Sequence, residues 1–266
     1  MTAPRPKRGY VDTEFGQVHF WTHDSTGPRI FLFHTSPLSG LEYGGVLPHL
    51  SGRRQAVAFD NPGYGHTSPP PQPATLADYA APLCAAIDAL GADRFALAGG
   101  HTGAAIALHA AAETFGDRVT HLIFSGLPYF TPEDVTYFRT NTTRPESAPD
   151  GSHLVEGWKR MRKRWGQHTD PATFEWALAS GLLATDRPSG PTFAVFDYDM
   201  ADALSRIRCP ILFLNGPHDP LLPQDKRAIP LVPQAKVELI DAPPGVSPAN
   251  SAPALYAEAL LRFLES

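Results

Sequence analysis

The chain is 266 residues long, 42% hydrophobic, and carries a formal net charge of −5. That length suits one large α/β domain with room for an inserted subdomain. The mild acidity offers no general attraction to nucleic acid or anionic membrane, so neither is expected as a partner. The two cysteines, Cys84 and Cys209, lack C-x-x-C spacing, which points to neither a disulfide framework nor a zinc site. Met1 to Arg8 holds Pro and Arg but no apolar segment, so no signal peptide is expected, and no run approaches the ~18 apolar residues of a membrane helix. A reducing cytoplasm is the expected location and a small molecule the expected partner, with monomer and homodimer both open.

In chain order, Val18 to Thr22, Ile30 to His34 and Ala56 to Phe59 are short β-branched or aromatic runs that read as strands. Thr75, with Asp78 three residues on, resembles a capping box. Tyr79, Leu83, Ile87 and Leu90 then recur at helical spacing until Gly91. Phe95 to Ala98 reads as a strand and Thr102 to Thr114 as an Ala-rich helix. Thr120 to Ser125, Ile211 to Leu214 and Val237 to Ile240 are further strands, and Ala254 to Leu264 is a closing helix. Near-continuous apolar strands alternating with helices predict a mostly parallel sheet covered on both faces.

The alternation stops between Pro128 and Ile207. That region holds Trp158, Trp165 and Trp176 and a Pro/Ser/Asn-rich stretch over 141–152, and it predicts a helical cap over the carboxyl edge of the sheet. The expected organisation is a core over 1–127, a cap over 128–207 and the rest of the core over 208–266. The basic run from Lys159 to Arg164 reads as a solvated helix face.

The richest stretch is Phe95-Ala-Leu-Ala-Gly-Gly-His-Thr-Gly-Ala104: apolar strand, glycine-punctuated turn, small-residue helix. A G-x-S-x-G nucleophile elbow has this context, yet the central residue here is His101. Three other segments fall in a matching order. Phe31 to Pro37 ends in His34-Thr35-Ser36-Pro37, where an H-G-x-P oxyanion loop would lie. Asp60 to Thr67 closely matches D-x-P-G-x-G-x-S, with Thr67 at the last position, and Asn215 to Pro220 fits a G-x-x-D segment supplying Asp219. With these motifs the chain resembles the capped α/β-hydrolase fold of the haloalkane dehalogenase and epoxide hydrolase type, from about Gln17 to Leu264. The resemblance implies an α/β-hydrolase core, an oxyanion hole from the backbone N–H groups of Ser36 and Thr102, and Asp219 as the acid.

Two positions depart from that family. His101 stands at the elbow's nucleophile position, where a serine hydrolase needs a hydroxyl, and Val246, in Pro244-Gly245-Val246-Ser247, stands where the family carries its catalytic histidine. A Ser-His-Asp mechanism needs both groups, so it is excluded on this alignment. An imidazole gained at the elbow and lost from the late loop predicts a direct His101–Asp219 dyad. His34, Thr35, Val246 and Trp158 are expected to line the substrate. Asp60 is expected to brace its turn, and Ser247 to play a capping or turn role for the segment's final helix.

The expected function is a cofactor-independent, hydrolase-like enzyme acting through His101 and Asp219 on a small apolar carbonyl, ester or related compound. The sequence holds no phosphate loop, nicotinamide fingerprint or metal-ligand cluster. Alternatives are a lyase, decarboxylase or isomerase with His101 as general base, and a non-catalytic descendant that binds a small ligand.

Overall fold

The computed structural model describes residues 6–141, 147–165, 170–184 and 190–266; part of the 141–152 stretch lies outside these ranges. Eight strands form one sheet: β1 (Lys7–Thr13), β2 (Gly16–Thr22), β3 (Arg29–Phe33), β4 (Gln55–Phe59), β5 (Phe95–Gly100), β6 (Val119–Ser125), β7 (Ile211–Asn215) and β8 (Lys236–Leu239), in the order β1-β2-β4-β3-β5-β6-β7-β8. The β1–β2 and β2–β4 pairs are antiparallel and the remainder parallel. All seven runs read as strands lie within a residue or two of β2 to β8. The sequence reading missed β1, a hairpin arm that buries only Val11, so its residues show little apolar pattern.

The helices are α1 (Leu47–Leu50), α2 (Leu76–Ala89), α3 (Thr102–His109), α4 (Pro132–Asn141), α5 (Ser152–Trp165), α6 (Pro171–Leu183), α7 (Pro191–Phe196), α8 (Met200–Arg206), α9 (Leu222–Ala228), α10 (Pro248–Ser251) and α11 (Pro253–Leu264). Thr75 and Asp78 make the expected capping box on α2, each backbone N–H donating to the other's side chain. The Ala-rich run after His101 is not one regular helix: α3 ends at His109 and the chain continues through a wider π-type turn to Phe115. Between β6 and β7 the regular elements among the described residues are all helices, with no strand. Among the described residues no helix is long and apolar enough to cross a membrane.

Alternation along the central strands divides the core in two. Phe31, Phe33, Phe95, Leu97 and Phe124 face α2, α3 and α8. Ile30, Leu32, Ala96, Ala98 and Ile123 face α1 and α11. A third cluster joins Leu38 and Val246 to Trp165, Phe174 and Ala177 of α5 and α6, so the helices between β6 and β7 sit directly on two loops at the sheet's carboxyl edge. His34, Asp60, His101 and Gly126 each follow a strand at that same edge, where open α/β sheets place their ligands.

Candidate active site

His101 links β5 to α3 with φ 47° and ψ −115°, and among the described residues it alone has positive φ without being glycine. Such a backbone costs roughly 1–3 kcal/mol and persists only when its surroundings hold it. Here the His101 N–H donates to the Ser125 carbonyl at 2.9 Å, and the His101 carbonyl accepts from the Ala104 and Ala105 N–H groups at 2.9 and 3.2 Å. The flanking glycines are dictated by contact. A Cβ on Gly99 would lie 2.3 Å from the Gly103 carbonyl oxygen, and one on Gly103 would lie 2.2 Å from that of Phe33.

The His101 ring meets Asp219. Its Nε2 lies 3.0 Å from each carboxylate oxygen, with side chains 6% and 1% exposed. Asp219 Oδ1 also accepts the Leu221 N–H at 2.7 Å. An ionised carboxylate only accepts, so Nε2 carries the proton of the neutral ring and Nδ1 keeps the lone pair. Gly126 forms the wall behind the pair. With φ +72° it presents bare backbone, and a Cβ there would fall 2.6 Å from His101 Cδ2 and 3.1 Å from Asp219 Oδ1. Asp225 pins that wall by accepting the Gly126 and Leu127 N–H groups at 3.1 and 2.6 Å and the Asn215 amide at 2.7 Å.

The loop expected to supply an oxyanion donor is arranged differently from that expectation. The Ser36 N–H donates to Thr102 Oγ1 at 3.1 Å, and the two hydroxyls are 2.7 Å apart. One of the two backbone donors is therefore already engaged by the side chain of the other residue. Thr35 also has a partner of its own. Its N–H and hydroxyl donate to Glu42 at 2.7 and 3.2 Å, and Gly100 leaves room for that hydroxyl, 2.6 Å from where a Cβ would stand.

Glu42, which the sequence reading missed, is 1% exposed. Burial raises its carboxyl above the usual range, while the Ser247 hydroxyl, the Thr35 N–H and the His101 imidazole pull it back. No motif marks this residue in sequence. Its only signal is the Thr35 found where the family has glycine.

Of the residues expected to line the substrate, His34 is fully buried, and both ring nitrogens are spent. Nδ1–H donates to the Thr35 carbonyl at 3.0 Å, and Nε2 accepts the Asn61 N–H at 2.8 Å, so His34 clamps two loops together. Thr35 is 1% exposed and bound to Glu42, and Val246 is buried against α5 and α6. Trp158 is partly buried, its ring 5.6 Å from that of Phe174. Asp60 accepts the Gly40 and His66 N–H groups and the His19 ring, bracing its turn as expected. Ser247 caps α10 rather than the final helix, accepting the Asn250 N–H at 3.3 Å.

Protonating His34 would cost it the bond from Asn61. Burial accordingly lowers its pKa from 6.5 to about 4, against the pull of Asp60 and the Thr35 carbonyl. The depressed value stabilises the fold fully above pH 6.5, and that stability is lost as pH falls through 4, a swing of about 3 kcal/mol. Asp225, pushed by burial and by Asp219 up to about 7, acts in the opposite sense and adds stability as pH falls from 7 towards 3.8. A titration of the individual ring separates the two. In ¹⁵N NMR, His34 is expected to remain the neutral Nδ1–H tautomer at pH 5.5, and an imidazolium signal there would contradict its assigned place.

A family model described as alpha/beta hydrolase fold matches residues 28–243. Haloalkane dehalogenase 2 from Mycobacterium tuberculosis is 28% identical over 186 residues, covering 70% of this chain and 62% of that protein. The chain thus spans less than two thirds of the length of the curated relatives it matches. The enol-lactonase from Burkholderia xenovorans LB400 superposes with a TM-score of 0.78 at 17% identity, over 97% of this chain and 100% of that one. Bromoperoxidase from Bacillus anthracis gives 0.76 at 19%, over 98% and 100%. At these identities the structural matches establish the fold and nothing finer. Taken with the match along most of its length, they place the chain in the alpha/beta hydrolase fold family.

Proposed function

We propose that this chain is a cofactor-independent enzyme whose base is His101 Nδ1, oriented by Asp219, and that it hydrolyses a small apolar ester or related carbonyl compound with water as the nucleophile. One observation carries this reading: Asp219 accepts from Nε2–H with both carboxylate oxygens at 3.0 Å, which leaves the opposite nitrogen as the lone-pair face. Among the described residues no serine or threonine hydroxyl is hydrogen-bonded to the His101 ring, so an acyl-enzyme step through an activated hydroxyl has no support.

The steps balance without further reagents. Nδ1 removes a proton from water as its oxygen attacks the carbonyl carbon, and the imidazolium that forms is held against Asp219. When the tetrahedral centre collapses, the leaving alkoxide takes that proton back. The developing oxyanion is met at the loop and elbow by Ser36 and Thr102, once Thr102 Oγ1 turns away from the Ser36 N–H. Pro37, Leu38 and Val246 are covered by α5 and α6, so entry of substrate requires those helices to lift.

A panel of esters, lactones, haloalkanes and carbonyl C–H acids, assayed with wild type and His101→Ala in H₂¹⁸O, tests this reading. Hydrolysis that depends on His101, places one ¹⁸O in the acid product and shows no acyl adduct in intact-protein mass spectra supports it. An adduct on Ser36 or Ser247, or turnover that survives His101→Ala, overturns it. In a parallel assay in D₂O, deuterium exchange at carbon without hydrolysis reassigns the same base to a lyase or isomerase reaction.

A further inference from the structure

A second cavity lies at the opposite end of the sheet. It measures about 240 Å³ and is lined by Arg29, Arg54 and Arg94, by His121 and Thr120, and by an apolar floor that includes Phe95 and Leu264. These residues stand at or just before the amino ends of β3, β4, β5 and β6, and at the end of α11. His101 follows the carboxyl end of β5, whose six residues separate the two places by roughly 17–20 Å at ~3.3 Å per residue.

Three cations and an imidazole line this cavity with no acid among them, in a chain whose net charge is −5. Two of the guanidinium groups are fixed by the fold. Arg29 donates to the Gln55 amide oxygen at 2.9 Å and to the Leu90 carbonyl, while Arg54 donates to the Leu264 carbonyl at 2.8 Å. Each retains further N–H groups, because a guanidinium carries five. One of them, Arg54 Nε, is buried without a partner. Arg94 is exposed and donates to nothing among the described residues. Glu265, the acid that acts on Arg54, is itself paired with Arg53.

The backbone also departs from regularity here. Phe95 pairs with Val119 but Ala96 with His121, so Thr120 is the extra residue of a bulge between β5 and β6 at the cavity wall. Burial, then Arg54 and Lys236, hold the His121 imidazole below its usual range, so the positive field reaches that wall without being cancelled.

We infer that this cavity is a binding site, separate from the candidate active site, for a small molecule that joins an oxyanion head, carboxylate or phosphate, to a compact apolar body. The head lies among Arg94, Arg54 and Arg29, where planar guanidinium groups match either oxyanion. The body rests on Phe95 and Leu264. The volume falls just below that of ordinary ligand pockets, which fits one ring and its head group.

Calorimetric titration at low ionic strength with phenyl phosphate, benzoate and the neutral benzyl alcohol tests the inference. The expected result is saturable one-to-one binding of at least one of the two anions and no binding of the alcohol. Affinity should fall about ten-fold in Arg94→Ala, should be lost in Thr120→Glu, and should be unchanged in His101→Ala. Both surface variants alter partly or fully exposed side chains, and circular dichroism checks that they fold. Absence of saturable anion binding, equal binding of the alcohol, or affinity indifferent to both Arg94→Ala and Thr120→Glu would overturn it. So would loss of binding in His101→Ala alone, which would place the ligand at the other end of the sheet.

Discussion

Replacing His101 by alanine is expected to lower turnover by ~10²–10⁴-fold, the range that a positioned general base contributes. Asp219→Asn should be comparably severe for a different reason. The carboxylate accepts from Nε2 and so fixes the proton there, with Nδ1 left as the base. An asparagine can present its NH₂ to the same nitrogen, which then becomes the acceptor, and the ring proton moves to Nδ1. The base is lost while the shape is kept. A carboxylate-to-amide change of this kind beside a catalytic imidazole has cost about 10⁴-fold in a serine protease. Steady-state kcat on any substrate found by the panel measures both effects. Thermal melts on the same preparations check that the loss is chemical, and a kcat within ten-fold of wild type in Asp219→Asn would contradict the assigned tautomer.

Gly103→Ala is expected to carry the largest stability loss, about 3 kcal/mol. The added Cβ would stand 2.2 Å from the Phe33 oxygen, 2.5 Å from its carbonyl carbon and 2.7 Å from the His34 oxygen. These are backbone atoms of a central strand and its exit, so no rotamer change relieves the contact. Movement of β3 or α3 would also displace His101 and the loop through Ser36. At 2–4 °C per kcal/mol for a domain near this size, Tm should fall by roughly 6–12 °C. Gly157→Ala on α5 is the matched control. Its Cβ would meet only the Leu178 side chain at 3.4 Å, an ordinary contact, and alanine is the better helix former. A Gly103→Ala melt within 2 °C of wild type would show that the elbow is less tightly wedged than these contacts require.

The layered sheet was legible because buried parallel strands are almost wholly apolar, as in Ile30–Phe33 and Ile211–Leu214. Strand β1 was not, since an edge hairpin needs only Val11 inside. The pairing of His101 with Asp219 could be anticipated because both sit in motifs whose order fixes which strand ends they follow. The state of the loop donor could not. Whether the Ser36 N–H faces a ligand or the Thr102 hydroxyl depends on one side-chain rotation, which leaves no trace in residue order. Glu42 was invisible for a related reason. Its partner Thr35 is seven residues away across a loop, where no regular periodicity links the two positions. His34 looked like a residue facing substrate because it opens the oxyanion loop, yet its neighbours Thr35 and Asn61 take both nitrogens.

The Glu42–Thr35 pair also predicts a moderate effect. Glu42→Leu should cost about 1–3 kcal/mol, because it leaves the buried Thr35 N–H without an acceptor. Urea unfolding of the single variant checks this. A midpoint equal to wild type in the single variant would show that the N–H finds another partner.

The central claim is that His101 works through Nδ1 while Asp219 holds Nε2. A crystal structure with a slowly turned-over carbonyl ligand or its product tests this most directly. The predicted complex has Nδ1 within ~3.2 Å of the ligand or of the water aimed at its carbonyl carbon, with Nε2 still on Asp219. A ligand seated away from the ring, or a ring rotated off Asp219 to reach it, would contradict the account.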